Sequence, residues 1–388
     1  MTVSLHSLGM VAGEASGDLL AALVLAGVRQ RWPEAHCMGI GGPRMREQGF
    51  DAWWPHERLA VRGYVEVLRH YRGIVAIRNQ LKARWLVQPP QVFVGVDAPD
   101  FNLSLAQSLK QAGIPTLQMV CPSLWAWRPE RVHSLRRSVD HVLCLFPFEP
   151  ELLHRQGIAA TYVGHPLAQA IPMEPDRAAA RQRLGLPLDA QVVAVLPGSR
   201  VSEIRYLLER FVGAAALLSQ RHPHLHFVLP AIPSLKSQLE LMLANMPQPA
   251  HLHVLSGMSH EALAACDVSL VASGTATLEA ALFKRPMVIG YNMHPWSWRL
   301  MRGKQLQPWV GLPNILCGDF VVPELIQDAA TPQALSAAVL QWLQACEHSP
   351  STVEALVQRF TALHHELRRD TAELAAHAIE KIIAPTAA

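Results

Sequence analysis

No two of the six cysteines, Cys37, Cys121, Cys144, Cys266, Cys317 and Cys346, stand at CxxC spacing. That absence argues against a zinc centre or a disulfide framework and fits a reducing cytosol. Charge of one sign is scarce: the formal net charge is +3 over 388 residues, so no global field directs the chain to nucleic acid, and any basic partner surface must be local. No uncharged apolar run reaches the roughly eighteen residues a bilayer-spanning helix needs. The opening stretch MTVSLHSLGMVAGEASGD has no basic leader, and His6 and Gly9 interrupt its apolar run; it reads as a first strand rather than a signal peptide. There is no GxxxxGKS or GxxxxGKT segment, which argues against ATP hydrolysis of the Walker type. The nineteen histidines include HPHLH (His222 to His226) and HLH (His251 to His253), but without neighbouring cysteines or acids these read as surface or strand-edge residues, not metal ligands.

What the chain does contain is alternation. Half of it is hydrophobic and 17% is charged, ordinary for a folded protein, and its length favours two domains. Short apolar runs alternate with helical patterns, the signature of a parallel α/β architecture. Strands are expected near Val3–Val11, Ala35–Ile40, Val92–Val96, Thr116–Val120, Val139–Leu145 and Thr161–Val163, with helices at Asp18–Arg31 and Phe101–Gln111 among those between. Prolines 166, 172, 175 and 187 mark a connector. The alternation then restarts with strands at Val192–Leu196, His226–Leu229, His253–Leu255, Val268–Val271 and Met287–Ile289, and a helical tail runs from Ser351 to Ile383. The expectation is two Rossmann-like domains, residues 1–168 and 169–350, with a cleft between them and the segment 351–388 packing back on the first.

Two loops of the second half suit a diphosphate. Pro197-Gly198-Ser199-Arg200 joins a buried strand to a helix, so amides at the helix start and the Arg200 guanidinium face one space. Ser273-Gly274-Thr275 makes a similar turn, and Glu279 one turn further in is placed to accept from ribose hydroxyls. The first loop of the chain, Gly13 to Asp18, carries Glu14 and Asp18, which would repel a pyrophosphate. It suits a hydroxyl-rich sugar, or simply an Asp18 cap on the following helix.

Two stretches combine cations with apolar surface. Between Leu59 and Val87, Arg62, Arg69, Arg72, Arg78, Lys82 and Arg84 face one acid, Glu66, while Val67, Tyr71, Ile74, Ile77, Leu81 and Trp85 recur at helical spacing. Such a helix either lies in a membrane interface or packs on the core with a solvated basic face. Tyr291 to Val310 has three tryptophans and, counting His294 with Arg299, Arg302 and Lys304, four basic residues, a composition that suits lipid headgroups and acyl chains.

In order along the chain, VAGEASGD (Val11–Asp18), GIGGPRM (Gly39–Met45), FVGVDAPDFN (Phe93–Asn102), PSLWAWRPERV (Pro122–Val132), LFPFE (Leu145–Glu149), VGHP (Val163–Pro166), LPGSR (Leu196–Arg200), ASGTATLEAAL (Ala272–Leu282), PMVIGY (Pro286–Tyr291) and LPNIL (Leu312–Leu316) together resemble the lipid-A-disaccharide synthases. The resemblance implies a GT-B fold and an inverting transfer of 2,3-diacylglucosamine from its UDP derivative to lipid X, without metal or cofactor. It places the nucleotide on Gly198, Ser199, Arg200, Ser273, Gly274, Thr275 and Glu279 of the second domain. It gives Glu14, Ser16, Gly17 and Asn314 to the sugar substrates, with the acceptor in the first domain. It further implies a cytoplasmic enzyme at the inner face of a Gram-negative cytoplasmic membrane, a possible homodimer through exchange of the C-terminal segment, and no nucleic-acid partner. The alternatives are another GT-B transferase or epimerase acting on UDP-GlcNAc-type sugars, and a non-catalytic membrane-peripheral protein that binds nucleotide sugars.

Inversion in one displacement needs a base. Asp97 ends a parallel strand, where open α/β sheets place their ligands, and is the expected base facing the cleft. Asp100 precedes FNLSLAQSLK and is expected to cap that helix, with Pro99 fixing its approach.

Overall fold

The computed structural model describes residues 3–59, 64–126 and 129–384, with residues 64–71 and 300 by backbone alone. The chain divides into two compact units, Met1–Pro166 with Leu367–Ala388, and Leu167–Glu366. The helix Pro350–Leu367 therefore lies almost wholly in the second unit and Thr371–Ile383 in the first.

The first unit is built on seven parallel strands: β1 (Ser7–Ala12), β2 (His36–Gly41), β3 (Asp51–Pro55), β4 (Val92–Val96), β5 (Thr116–Met119), β6 (His141–Cys144) and β7 (Ala159–Tyr162), in the order β3-β2-β1-β4-β5-β6-β7. Every residue of β4 is buried, as expected of a strand covered on both faces. Val92, Val94 and Val96 pack with Leu8, Met10 and Ala12 of β1, under the helices Ala15–Arg31 and Thr371–Ile383. Phe93 turns the other way, against Trp85, Leu105 and Leu109. Each such side chain taken fully from water contributes about 1.5–3 kcal/mol.

The second unit repeats the plan with β8 (Val192–Leu196), β9 (His226–Ala231), β10 (Leu252–Ser256), β11 (Val268–Ala272), β12 (Met287–Tyr291) and β13 (Glu324–Ile326), ordered β10-β9-β8-β11-β12-β13. Val193 and Val195 of β8, Phe227 and Leu229 of β9 and Leu270 of β11 share one core with Leu207 and Phe211 of the helix Val201–Arg221. In each sheet the order reverses once, between β1 and β4 and between β8 and β11. These reversals are where doubly wound sheets open a crevice at the carboxyl ends of their strands.

Two capping expectations are corrected. Asp100 does not cap its helix: Pro99 is already the first helical residue, Ala98 is the N-cap, and no side chain caps the end. Asp100 instead sits exposed in the first turn, 2.9 Å from Arg131 Nη2. Asp18 lies inside the helix Ala15–Arg31, 3% exposed, and its carboxylate accepts from the amides of Gly42, Arg44 and Met45. It thus caps the short helix Pro43–Glu47 rather than its own. β3 and β13 lie outside the strands expected from sequence.

Of the basic amphipathic stretch, Arg62 lies outside the described residues, and Glu66, Val67, Arg69 and Tyr71 are described by backbone alone. Further along, the helix packs on the core: Leu81 and Trp85 are fully buried, Ile74 and Ile77 lean on the same cluster, and the Arg84 guanidinium stacks 3.4 Å over Trp53. Among the described residues no helix is long and apolar enough to cross a membrane.

Candidate active site

At the β8/β11 reversal the two loops meet around a cavity of about 370 Å³. It is lined by Gly198, Ser199 and Arg200 from one loop and by Ser273, Gly274, Thr275 and Glu279 from the other, so all seven residues expected at a nucleotide are gathered there. The glycines turn the chain where a side chain would be strained: φ is +120° at Gly198 and +143° at Gly274. A Cβ on Gly198 would also come within 2.5 Å of Glu203 Cβ. Each loop opens into a helix, Val201–Arg221 and Thr275–Leu282, whose first-turn amides have no intrahelical acceptor.

One expectation about this cavity does not hold. The amides of Ser199 and Arg200 are not open donors, because both donate to Glu203 Oε2, at 2.8 and 3.2 Å. Arg200 Nη1 donates to the other oxygen of the same carboxylate at 2.7 Å. Glu203 also lines the cavity. Sequence reading passed it over, although a glutamate three residues after a loop residue that opens a helix is the spacing of a capping box. Ser273 donates its hydroxyl to the Val310 carbonyl at 3.1 Å, leaving its oxygen as an acceptor. Glu279 faces His260 at 3.9 Å, and this carboxylate, with Glu261 adding to it, raises the His260 pKa despite partial burial.

At the β1/β4 reversal of the first unit stands Asp97. Asp97 and Ala98 are consecutive non-glycine residues in the left-handed region, with φ of +52° and +39°, a conformation costing about 1–3 kcal/mol per residue. The chain holds them there. The Asp97 carbonyl accepts from Asn102 Nδ2 at 2.8 Å and Gln118 Nε2 at 3.0 Å, and its amide donates to the Met119 carbonyl. The Gly13 loop presses against this turn, since a Cβ on Gly13 would lie 2.8 Å from the Ala98 Cβ. Burial raises the Asp97 pKa; the Ala98 amide counters this in part, and the nearby Glu14 carboxylate adds to the rise. The geometry is that of a strained turn that presents a carboxylate with reduced acidity beside a second one.

A family model described as lipid-A-disaccharide synthetase matches residues 8–379. The chain belongs to the lipid-A-disaccharide synthase family. It is 62% identical over 383 residues to the lipid-A-disaccharide synthase of Albidiferax ferrireducens, covering 98% of each chain. It is 58% identical to that of Verminephrobacter eiseniae, over 97% of each, and 50% identical to that of Bordetella pertussis, over 97% of this chain and 98% of the relative. Among solved structures, the glycotransferase of kitacinnamycin aligns with a TM-score of 0.62 at 18% identity, covering 98% of this chain and all of its own. A UDP-GlcNAc 2-epimerase from Neisseria meningitidis, solved with UDP-GlcNAc bound, aligns with a TM-score of 0.61 at 12% identity, over 97% of this chain and 99% of that one. At such identities these two show the fold alone, a GT-B-like pair of parallel α/β units.

Lipid-A-disaccharide synthases are glycosyltransferases of lipid A biosynthesis, and against that background the remaining expected residues separate. Ser16 is exposed, Glu14 half-buried and Gly17 buried, all at the start of the helix after β1. Asn314, expected at a sugar substrate, is held inside the second unit. It is 0% exposed, donates to the Val322 carbonyl and Glu324 Oε1, and accepts from the amides of Val321 and Val322. These bonds use its side-chain hydrogen-bonding capacity and tie the helix Leu312–Cys317 to residues 321–324. Trp125 and the LFPFE stretch are likewise tied together, by Trp125 Nε1 donating to Glu149 Oε1 at 3.0 Å.

Proposed function

We propose that this chain transfers 2,3-diacylglucosamine from UDP-2,3-diacylglucosamine to the 6-hydroxyl of 2,3-diacylglucosamine 1-phosphate (lipid X), with inversion, giving the β(1→6) disaccharide 1-phosphate and UDP. The observation that carries this reading, beyond family membership, is the gathering of both small-residue loops, Arg200 and Glu279 on one cavity at the β8/β11 reversal. UDP is the group this reading puts in the cavity: the first-turn amides of Thr275–Leu282 and Arg200, once it exchanges its bond to Glu203, for the diphosphate, and the Glu279 carboxylate for ribose hydroxyls.

In the proposed step the acceptor O6 attacks the anomeric carbon and the C1–O bond to the β-phosphate breaks. Asp97 takes the O6 proton and UDP leaves with the bonding electron pair. A base of raised pKa, fixed on a strained turn, is suited to this role. Glu14 lies near Asp97 and Gly17 beside the Val96 carbonyl, and with Ser16 they are assigned to the acceptor sugar. No metal or cofactor enters the step; Arg200 and the loop dipoles stabilise the departing diphosphate.

The same reading makes the protein a peripheral one at the inner face of the cytoplasmic membrane. In support, Trp296 is 70% exposed on the helix Pro295–Arg302, with Arg299, Arg302 and Lys304 exposed around it. A homodimer formed by exchange of C-terminal helices would use the surface where Thr371–Ile383 meets Ala15–Arg31. The deciding experiment is UDP release from purified protein mixed with defined donor and lipid X. Release that needs acyl chains on both substrates is expected; equal turnover of non-acylated UDP-GlcNAc would refute the assignment.

A further inference from the structure

The donors best placed to receive an anion at the β8 turn are already engaged, and by a single side chain. Glu203 Oε2 accepts the amides of Ser199 and Arg200, and Oε1 accepts Arg200 Nη1. The carboxylate is well held, its side chain 18% exposed against 66% for Arg200. Capping the helix explains the bond to the Arg200 amide. It explains neither the second oxygen, committed to the guanidinium, nor the position of the group on the cavity wall.

Charge sharpens the point. Among the described side chains that line the cavity, Arg200 is the cation, and Glu203 and Glu279 are carboxylates. A diphosphate entering beside both carboxylates would meet net repulsion while Arg200 stays paired to Glu203. If Arg200 and the two amides pass from Glu203 to a phosphate, one set of charge-assisted bonds replaces another of similar kind, and the net gain from the loop is small.

We propose that the Glu203 carboxylate is an intramolecular stand-in for the nucleotide's phosphate. It holds the loop's anion donors, yields them to the diphosphate, and thereby keeps UDP affinity low enough for the product to leave. This inference rests on the nucleotide reading above and deepens it: Glu203 sets affinity for the phosphate part of the ligand and not for the nucleoside.

The test is calorimetric titration of the full chain with UDP and, separately, with uridine. Glu203→Gln keeps the size and an accepting oxygen for the cap but removes the charge. UDP should bind on the order of tenfold more tightly, with uridine affinity unchanged. Glu209→Gln, an exposed carboxylate on the same helix, should change neither. Glu203→Ala, also neutral, repeats the measurement should the glutamine disturb the loop. Native protein that binds UDP, with neutral variants that bind it equally or more weakly, overturns the inference and leaves Glu203 as a cap only. Equal tightening of UDP and uridine overturns it too, since that reports a loosened cavity. Failure of native protein to bind UDP overturns the nucleotide reading and this inference with it.

Discussion

His260 Nε2 stands 3.9 Å from Glu279 Oε1 at the edge of the cavity. The pairing raises the histidine above its ordinary 6.5, so its cation persists to higher pH than that of a solvated imidazole. Its contribution to stability is full below 6.5 and is lost as pH rises through the raised folded value. The same proton offsets one of the cavity's two carboxylates. UDP affinity is therefore expected to fall as pH rises through the His260 titration, and His260→Gln should flatten that profile. Titrations with UDP at a series of pH values decide the matter; a slope that survives the substitution would assign it elsewhere.

Asp97 must be ionised to act as a base, so activity should fall as pH drops through its raised pKa. The acid limb of kcat/KM is expected above the range of an ordinary carboxylate. Glu14→Gln removes the neighbouring negative charge that adds to the rise, and should move the limb to lower pH whatever it does to the plateau. Asp97→Asn should abolish UDP release while leaving UDP binding intact. Near-normal turnover by that variant would remove Asp97 from the mechanism.

Asn314 joins the LPNIL helix to the strand entry at Val321–Glu324 through four hydrogen bonds. Asn314→Ala leaves buried amides without partners and is expected to cost about 3 kcal/mol of unfolding free energy. Urea denaturation reads that loss. UDP affinity of the folded variant should stay at the native value, because the side chain does not line the cavity. A large loss of affinity at unchanged stability would restore a ligand role.

How far the sequence could be read depended on whether the deciding contact was local. The strands Val92–Val96 and Val192–Leu196 have the bounds expected of them, since short, valine-rich runs without a polar residue suit a strand buried on both faces. DAWWP and ELI are edge strands, short and part-exposed, and the first ends on a proline; neither carries a periodic signal. The loops at Gly198 and Ser273 were visible because strand, small residues and helix follow one another directly. Asp18 was misread because its partners are the amides of residues 42–45, a pairing set by tertiary packing. Asp100 was misread for a local reason, since proline at the first helical position draws the next residue into the first turn. Asn314 had no pattern at all to separate a ligand contact from a buried brace.

A Cβ on Gly27 would lie 2.0 Å from the Ala372 carbonyl oxygen, so the helix Ala15–Arg31 and the closing helix touch backbone to backbone. Their shared core takes Val24, Leu25 and Val28 from one and Ala375, Ala376 and Ile379 from the other. The first unit is thus assembled from two separate stretches, whereas the second, Leu167–Glu366, is one uninterrupted stretch. During synthesis the second unit emerges whole while the first still lacks a wall. The unit that is begun first is therefore closed only once residues 371–383 have been made, and until then Val24, Leu25 and Val28 lack the apolar cover that Ala375, Ala376 and Ile379 supply.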